Sequence, residues 1–240
     1  MDLFTGPLVT VVVPVYNGEK FLRDALESVF DQDYRPLEVI VVDDGSEDGS
    51  GVIARSFPSA RYVRQRNAGP AAARNTGITI SNGMFVAFLD SDDIMLTHKV
   101  SSQVRVLIER PEVGCVLARQ DLFIQPGTPL PAMPRDGIFG DPGGVQPQSA
   151  VVRRSVLEQV GGFDPSYTTA EGIEWLSRMR AAGVVIAVLD RVVTRKRIHP
   201  ACHDYADVHA SLLRCLRTRI RQGREPSTRE EAPWWRTAPV

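Results

Sequence analysis

Three apolar runs punctuate the first ninety or so residues, and each breaks off into polar or turn residues. Leu8-Val9-Thr10-Val11-Val12-Val13 stops at Pro14-Val15-Tyr16-Asn17-Gly18, Leu37-Glu38-Val39-Ile40-Val41-Val42 at Asp43-Asp44-Gly45-Ser46, and Phe85-Val86-Ala87-Phe88-Leu89 at Asp90-Ser91-Asp92-Asp93. Continuous β-branched runs of this length predict strands buried on both faces of a parallel sheet. In open α/β sheets ligands sit at the carboxyl ends of the strands, so the polar stops outline one acidic crevice.

Helical patterns fill the intervals. Phe21, Leu22, Ala25, Leu26, Val29 and Phe30 recur at helical spacing behind Asn17, a candidate N-cap. Val52, Ile53 and Phe57 predict a short helix ending at Pro58, and residues 61–64 an edge strand. Pro70 suits the first turn of a helix over 71–80, and Asn82-Gly83 turns the chain into the Phe85 run. A helix over 97–109, closed by Pro111, precedes a strand over 113–118. Residues 125–148 hold six prolines and five glycines and are expected to be irregular; a loop that long inside a compact domain is usually functional or mobile. Beyond it come a strand over 149–153, a short helix over 155–160 ended by Gly161-Gly162, and a capping box, Thr168 to Glu171, opening a helix through Ala182. Two strands over 184–189 and 192–193 follow, then a last helix marked by Val208, Leu212, Cys215, Leu216 and Ile220.

The alternation predicts an α/β single domain over 1–221, with a Rossmann-like, mostly parallel central sheet and flanking helices. Residues 1–95 form its ligand-binding half and 96–221 the other half; 222–240 read as a disordered tail. Charge adds a polarity to this picture. The net charge is -1, which argues against nucleic acid as a partner. Residues 1–100 nevertheless carry 14 acidic against 9 basic side chains, and residues 191–224 carry 9 basic against 2 acidic. The Arg-rich last helix is a solvated face or a peripheral contact with anionic membrane. Three cysteines make no disulfide framework, and no apolar run reaches the length of a membrane span. A reducing, cytoplasmic setting is expected.

Asp90, Asp92 and Asp93 crowd three charges into four residues. Two carboxylates about 4 Å apart repel by about 4 kcal/mol at an effective dielectric near 20, so the cluster calls for a cation, and oxygen donors favour Mg²⁺ or Mn²⁺. The alternative is a solvated, helix-capping turn. His199, Cys202, His203 and His209 match no standard zinc spacing, and neither a dinucleotide fingerprint nor a P-loop occurs.

The ordered motifs VVVPVYNGEKFLRDALESVF, EVIVVDDGSEDGS, RNAGPAAARNTGI and FVAFLDSDD, followed by Gly-Gly-Phe-Asp at 161–164, resemble the family 2 glycosyltransferases, enzymes of the GT-A fold that use nucleotide-sugar donors. The likeness runs from about Leu8 to the His199 region. It implies a metal-dependent, inverting transferase taking a nucleoside diphosphate sugar, with a UDP-sugar the expected donor. The acceptor would be a saccharide, lipid-linked glycan, peptide or small molecule. By this resemblance Asp44 reads the uracil imide, Tyr16 lies at the base face with Pro14 and Val15, and Asn17, Glu19, Asp90 and Ser91 complete the donor site. Arg74 reaches the diphosphate, and Asp92, Asp90 and His199 approach the metal.

Plainer roles stand beside these: core packing for Tyr16, a surface ion pair for Arg74, and turn fixation for Asp43. The likeness fails at one place. Where the family has Glu-Asp, its Asp being the general base, this chain has Glu171-Gly172. Glu174 is the candidate substitute base, with an i,i+4 pair to Arg178 as its plainer role, and Glu171 is a second candidate beside its capping role. A protein that binds nucleotide sugars without transferring them is the competing expectation.

Overall fold

The computed structural model describes residues 3–128, 146–167 and 171–200. Its first half alternates β1 (Phe4–Val15), α1 (Leu22–Phe30), β2 (Tyr34–Asp43), α2 (Ser50–Arg55), β3 (Ala60–Arg64), α3 (Pro70–Ile80) and β4 (Phe85–Phe88). Strands β3, β2, β1 and β4 lie side by side and all parallel, with β3 at the edge. The second half adds β5 (Ile94–Met95), α4 (Lys99–Glu109), β6 (Val113–Ile124), a 3-10 turn (Pro147–Ser149), β7 (Val151–Arg153), α5 (Arg154–Val160), α6 (Glu171–Ala181) and β8 (Val185–Ile198). Here the sheet turns mixed. β7 runs antiparallel to both β4 and β6, while β8 pairs parallel with β6 and antiparallel with β5. The described strands form one eight-stranded sheet in the order β3-β2-β1-β4-β7-β6-β8-β5.

The apolar runs are continuous because the sheet is covered on both faces. Val9, Val11, Val13 and Val15 of β1 pack with Val39, Val41, Phe85 and Ala87 under α1, α2 and α4. The alternate positions Val12, Val86 and Phe88 meet Ala71 of α3, Val156 and Leu157 of α5 and Trp175 of α6. Strand geometry points successive side chains to opposite faces, so each residue of these runs finds a core. Helix α3 lies close on β1: a Cβ added to Gly77 would come within 2.3 Å of Val12 Cγ1.

Several expectations change. Asn17 does not cap α1, whose N-cap is Phe21 without a side-chain cap bond. Asn17 instead adopts φ 50, a left-handed conformation that Asn tolerates. The two strands expected over 184–189 and 192–193 are one: Asp190 and Arg191 are exposed strand residues, and β8 continues past them with shifts of register against β6. Of the segment expected to be irregular, residues 129–145 lie outside the described residues, and its far end is a buried 3-10 turn. The Thr168 half of the capping box, the last helix with Cys215, and the tail also lie outside them. No described helix is long and apolar enough to cross a membrane.

Candidate functional site

The loops after β1, β2 and β4 converge at the carboxyl ends of their parallel strands. The first two are laced together by backbone donors. Asn17 N donates to Ser46 Oγ (3.0 Å), Gly18 N to Ser50 Oγ (2.9 Å), Glu19 N to Asp48 Oδ2 (2.9 Å), and Glu47 N to Asn17 Oδ1 (2.9 Å). Glu19 Oε2 accepts from Gly49 N at 2.7 Å, so Glu19 orders the entry to α2. The loop after β4 abuts this lattice, for the space beside Gly18 is closed by Val15 and Ser91. Pro14 and Val15 are buried, whereas Tyr16 is 53% exposed. Core packing is therefore not the role of Tyr16.

The adjacent aspartates after β2 divide their work. Asp43 accepts from Ser46 N (2.7 Å) and Tyr62 Oη (2.6 Å), fixing the turn. Burial alone would raise its pKa, but the bonds from Tyr62 and Ser46, with Arg64 nearby, outweigh that and hold the carboxyl below the usual range. Asp44 is buried and accepts from Gln65 Nε2 (2.7 Å), Ala68 N (3.0 Å) and Gly69 N (2.8 Å). It thus ties the loop before α3 to the end of β2. Gly69 sits at φ 89 as the N-cap of α3, a conformation that suits glycine.

The three carboxylates after β4 have separate partners, and the repulsion expected from the sequence falls on the buried one, Asp93. Asp90 Oδ1 accepts from Arg74 Nη2 at 2.6 Å, and Arg74 Nη1 reaches Glu171 Oε1 at 2.7 Å. Arg74 is buried rather than at the surface, and it stands over the Phe163 ring. Burial works against its charge, but the two carboxylates outweigh burial and push its pKa further up. Asp93 is buried and accepts from Arg197 N at 2.9 Å. Burial first, then the Asp92 and Asp90 charges, raises its pKa well above the ordinary value. Asp92 stays one-third exposed and faces His199, with Nε2 to Oδ2 at 3.0 Å.

Among the described residues no three His, Cys, Asp or Glu side chains form a ready cage. The available donor set is one carboxylate and one imidazole, partly open to solvent. That set fits a hard divalent ion such as Mn²⁺ or Mg²⁺, which takes few protein ligands and fills its shell with substrate phosphate oxygens and water.

The acid–base region departs most from the sequence expectation. The structure does not bring Glu174 to this cluster: both its oxygens accept from Arg178, Oε1 from Nε at 2.6 Å and Oε2 from Nη2 at 2.9 Å. Arg178 in turn donates to the Val160 and Gly162 carbonyls, so the pair closes the end of α5. Nor is there a gap at Gly172. A Cβ there would lie 2.4 Å and 2.6 Å from Cδ and Cγ of Pro147.

That contact decides the sign of a substitution. Replacing a helical glycine normally gains up to about 1 kcal/mol, whereas overpacking costs typically about 1–3 kcal/mol. Gly172→Asp is expected to lower the melting temperature in a thermal scan, and Pro147→Gly in the same chain to recover part of it. A variant as stable as the parent would show that the turn at Pro147 yields freely.

Sequence reasoning missed Arg197, Pro147, Gln148 and Lys99. For Arg197 a signal existed, since it lies two residues before His199, at the spacing that puts alternate residues of an extended chain on one side. For the others the decisive contacts are tertiary, Lys99 to the Gln148 carbonyl, Gln148 to Asp93 and the Pro147 ring against Gly172.

These features coincide with what comparison with known proteins finds. The Glycosyl transferase family 2 model matches residues 10–161, more than half of the chain, and the chain belongs to that family. It is similar to glycosyltransferase GlyA of Streptococcus pneumoniae serotype 4, 43% identical over 105 residues that make 42% of this chain and 15% of GlyA. GlyG of the same organism is 38% identical over 108 residues, 43% of this chain and 36% of GlyG. The chain thus matches less than half the length of either relative.

Among solved structures, S. aureus TarS 1-349 in complex with UDP-GlcNAc superposes with TM-score 0.65 at 23% identity, covering 81% of this chain and 60% of that TarS 1-349 chain. The mannosyltransferase PcManGT from Pyrobaculum calidifontis, in complex with GDP-Man and Mn²⁺, gives 0.68 at 24% identity, covering 92% and 66%. The fold is that of the GT-A glycosyltransferases.

Proposed function

We propose that this chain transfers a sugar, as a hexosyltransferase acting with inversion, from a nucleoside diphosphate sugar to an acceptor, with a UDP-sugar as donor and Mn²⁺ or Mg²⁺ as cofactor. The observation that carries the reading is the Asp92–His199 pair, 3.0 Å apart and contributed by distant parts of the chain. It lies beside the loop whose Ser91 meets Gly18, two residues from the exposed Tyr16. The nucleoside would lie against Tyr16 with Pro14 and Val15 lining the floor, and Asp44, an acceptor-only carboxylate, would read an N–H of the base. Asn17 and Glu19 shape this wall. When bound, the divalent ion supplies charge neutralisation for the diphosphate leaving group. Arg74 in this reading holds Asp90 in place at the crevice, because the guanidinium is buried and bonds Asp90 and Glu171 together.

Both candidate bases are ion-paired, Glu171 with Arg74 and Glu174 with Arg178, and of the two only Glu171 shares its arginine with Asp90, which makes it the better placed for proton removal. The Pro147 ring against Gly172 also favours a second reading, in which the chain binds nucleotide sugars without transferring them.

Calorimetry tests the donor site. UDP is expected to bind at least tenfold more tightly with Mn²⁺ than with EDTA, and Asp92→Ala to erase that difference. Equal affinity with and without metal would sink the metal-dependent reading. UDP binding with no transfer to any acceptor in a broad screen would install the second.

A further inference from the structure

The Asp92–His199 pair joins residues 107 apart in sequence, and one residue links what surrounds it. Arg197 is 8% exposed and sits two residues before His199 on β8. Its backbone N donates to Asp93 Oδ1 (2.9 Å) and its Nε to the Asp92 carbonyl (2.9 Å). Nη1 donates to Gln125 Oε1 (3.1 Å), just past β6, and Nη2 to Asp24 Oδ2 (3.1 Å) on α1. The guanidinium lies 4.4 Å from the centroid of the Phe21 ring and 4.7 Å from that of Phe123. Phe21 in turn meets the His199 ring, centroid to centroid, at 4.8 Å.

Geometrically this is a frame around two donor atoms. The guanidinium fixes the Asp92 main chain through its carbonyl and reaches Gln125 and Asp24, while the backbone N–H of Arg197 holds the Asp93 carboxylate. The His199 ring leans on the same aromatic side chain on which Arg197 stacks. A planar guanidinium with five donors satisfies these directions at once, whereas a lysine ammonium, a point charge on a flexible stem, cannot. A cation over an aromatic face is also attracted by the ring quadrupole, which holds Phe21 in place beneath His199.

We propose that Arg197 is a positioning residue of the transfer site: it holds Asp92 and His199 in register as one donor pair for the divalent ion. The proposal rests on the metal-dependent reading above for its function, and on geometry alone for the positioning. It separates Arg197 from an ordinary structural arginine, because it bonds the Asp92 main chain and stacks on the Phe21 ring that meets His199. Residues that orient metal ligands typically change metal affinity or activity about 10- to 100-fold when replaced.

The test uses the full chain with Mn²⁺ and UDP. Mn²⁺ affinity in the presence of UDP is measured by electron paramagnetic resonance, and the Phe21–His199 ring contact by nuclear Overhauser effects in the metal-free protein. Arg197→Lys is expected to weaken Mn²⁺ about 10- to 100-fold and to lose the ring contact. Where the parent binds Mn²⁺ with UDP, affinity decides: a variant within threefold of the parent overturns the proposal, even if its melting temperature falls. Where the parent binds no Mn²⁺, the metal-dependent reading fails by itself, and the ring contact decides: lost in the variant supports positioning, retained overturns it. Should Arg197→Lys not fold, Asp24→Ala removes the exposed anchor of Arg197 without touching the core, and the same readouts and thresholds apply to it.

Discussion

Replacing Arg74 by methionine is expected to lower the melting temperature by on the order of 10 °C. Breaking a buried ion pair by removing one partner typically costs about 3–5 kcal/mol, because the other charge stays behind unpaired. Here a single guanidinium serves two carboxylates, Asp90 at 2.6 Å and Glu171 at 2.7 Å. They are not equally trapped. Asp90 has a side chain 26% exposed and can turn toward water, whereas that of Glu171 is 11% exposed at the start of α6. Most of the loss should come from Glu171.

Adding Glu171→Gln to Arg74→Met should therefore restore part of the stability, while adding Asp90→Asn should restore less. Urea unfolding of the three variants reads this order directly. Equal stability of Arg74→Met and the parent would mean that the pair contributes nothing net. Arg74→Lys is not a neutral control, since one ammonium cannot span both partners in this fork geometry.

How much of this was legible in the sequence depends on how locally each feature is encoded. The parallel half was readable because burial on both faces leaves no polar position in Val11-Val12-Val13 or Val39-Ile40-Val41-Val42. Pro70 marked the first turn of α3 by its fixed backbone geometry. The two-residue β5 carries no periodicity at all, and β8 read as two strands because Asp190 and Arg191 interrupt its apolar pattern at exposed positions. At the site, the division between Asp43 and Asp44 could be anticipated from the turn chemistry of Asp-Asp-Gly-Ser. The burial of Arg74 could not, because its partner Glu171 lies 97 residues away in sequence. Glu174 illustrates the opposite case, since the local i,i+4 pairing with Arg178 was visible and prevails. Gly172 reads as a missing carboxylate from the sequence, and only tertiary packing reveals the Pro147 ring in its place.

Lys99 is the least legible residue of all and carries the second large effect. A lysine at the start of an amphipathic helix reads as solvated, yet this one is fully buried. Its Nζ donates to Gln103 Oε1 (3.1 Å) and the Gln148 carbonyl (2.9 Å), with the Ala150 carbonyl at 3.4 Å, and none of these is a carboxylate. Burial lowers its pKa to about 7, opposed only by the Cys115 thiol. The unfolded chain holds this proton up to the ordinary lysine pKa near 10.4, whereas the folded chain releases it above about 7. Between those values the unfolded state binds more protons, so stability rises with pH, by about 1.4 kcal/mol per unit.

Cys115 sets the upper end of the usable window. Burial pushes its thiol up to about 12, so above the ordinary thiol range the unfolded chain loses a proton that the fold retains, and this offsets the rise from Lys99 and levels the stability. The two effects separate between about pH 7 and pH 8.5. Urea midpoints across that interval are expected to climb in the parent and to stay flat in Lys99→Met, which keeps an unbranched apolar stem of similar length. The slope is the diagnostic, because methionine also gives up the bonds to Gln103 and the Gln148 carbonyl at every pH. An equal slope in parent and variant would mean that Lys99 keeps its proton in the fold. A lost slope would identify a neutral amine beneath the Pro147 turn, the same turn whose ring packs against Gly172 and whose Gln148 approaches Asp93.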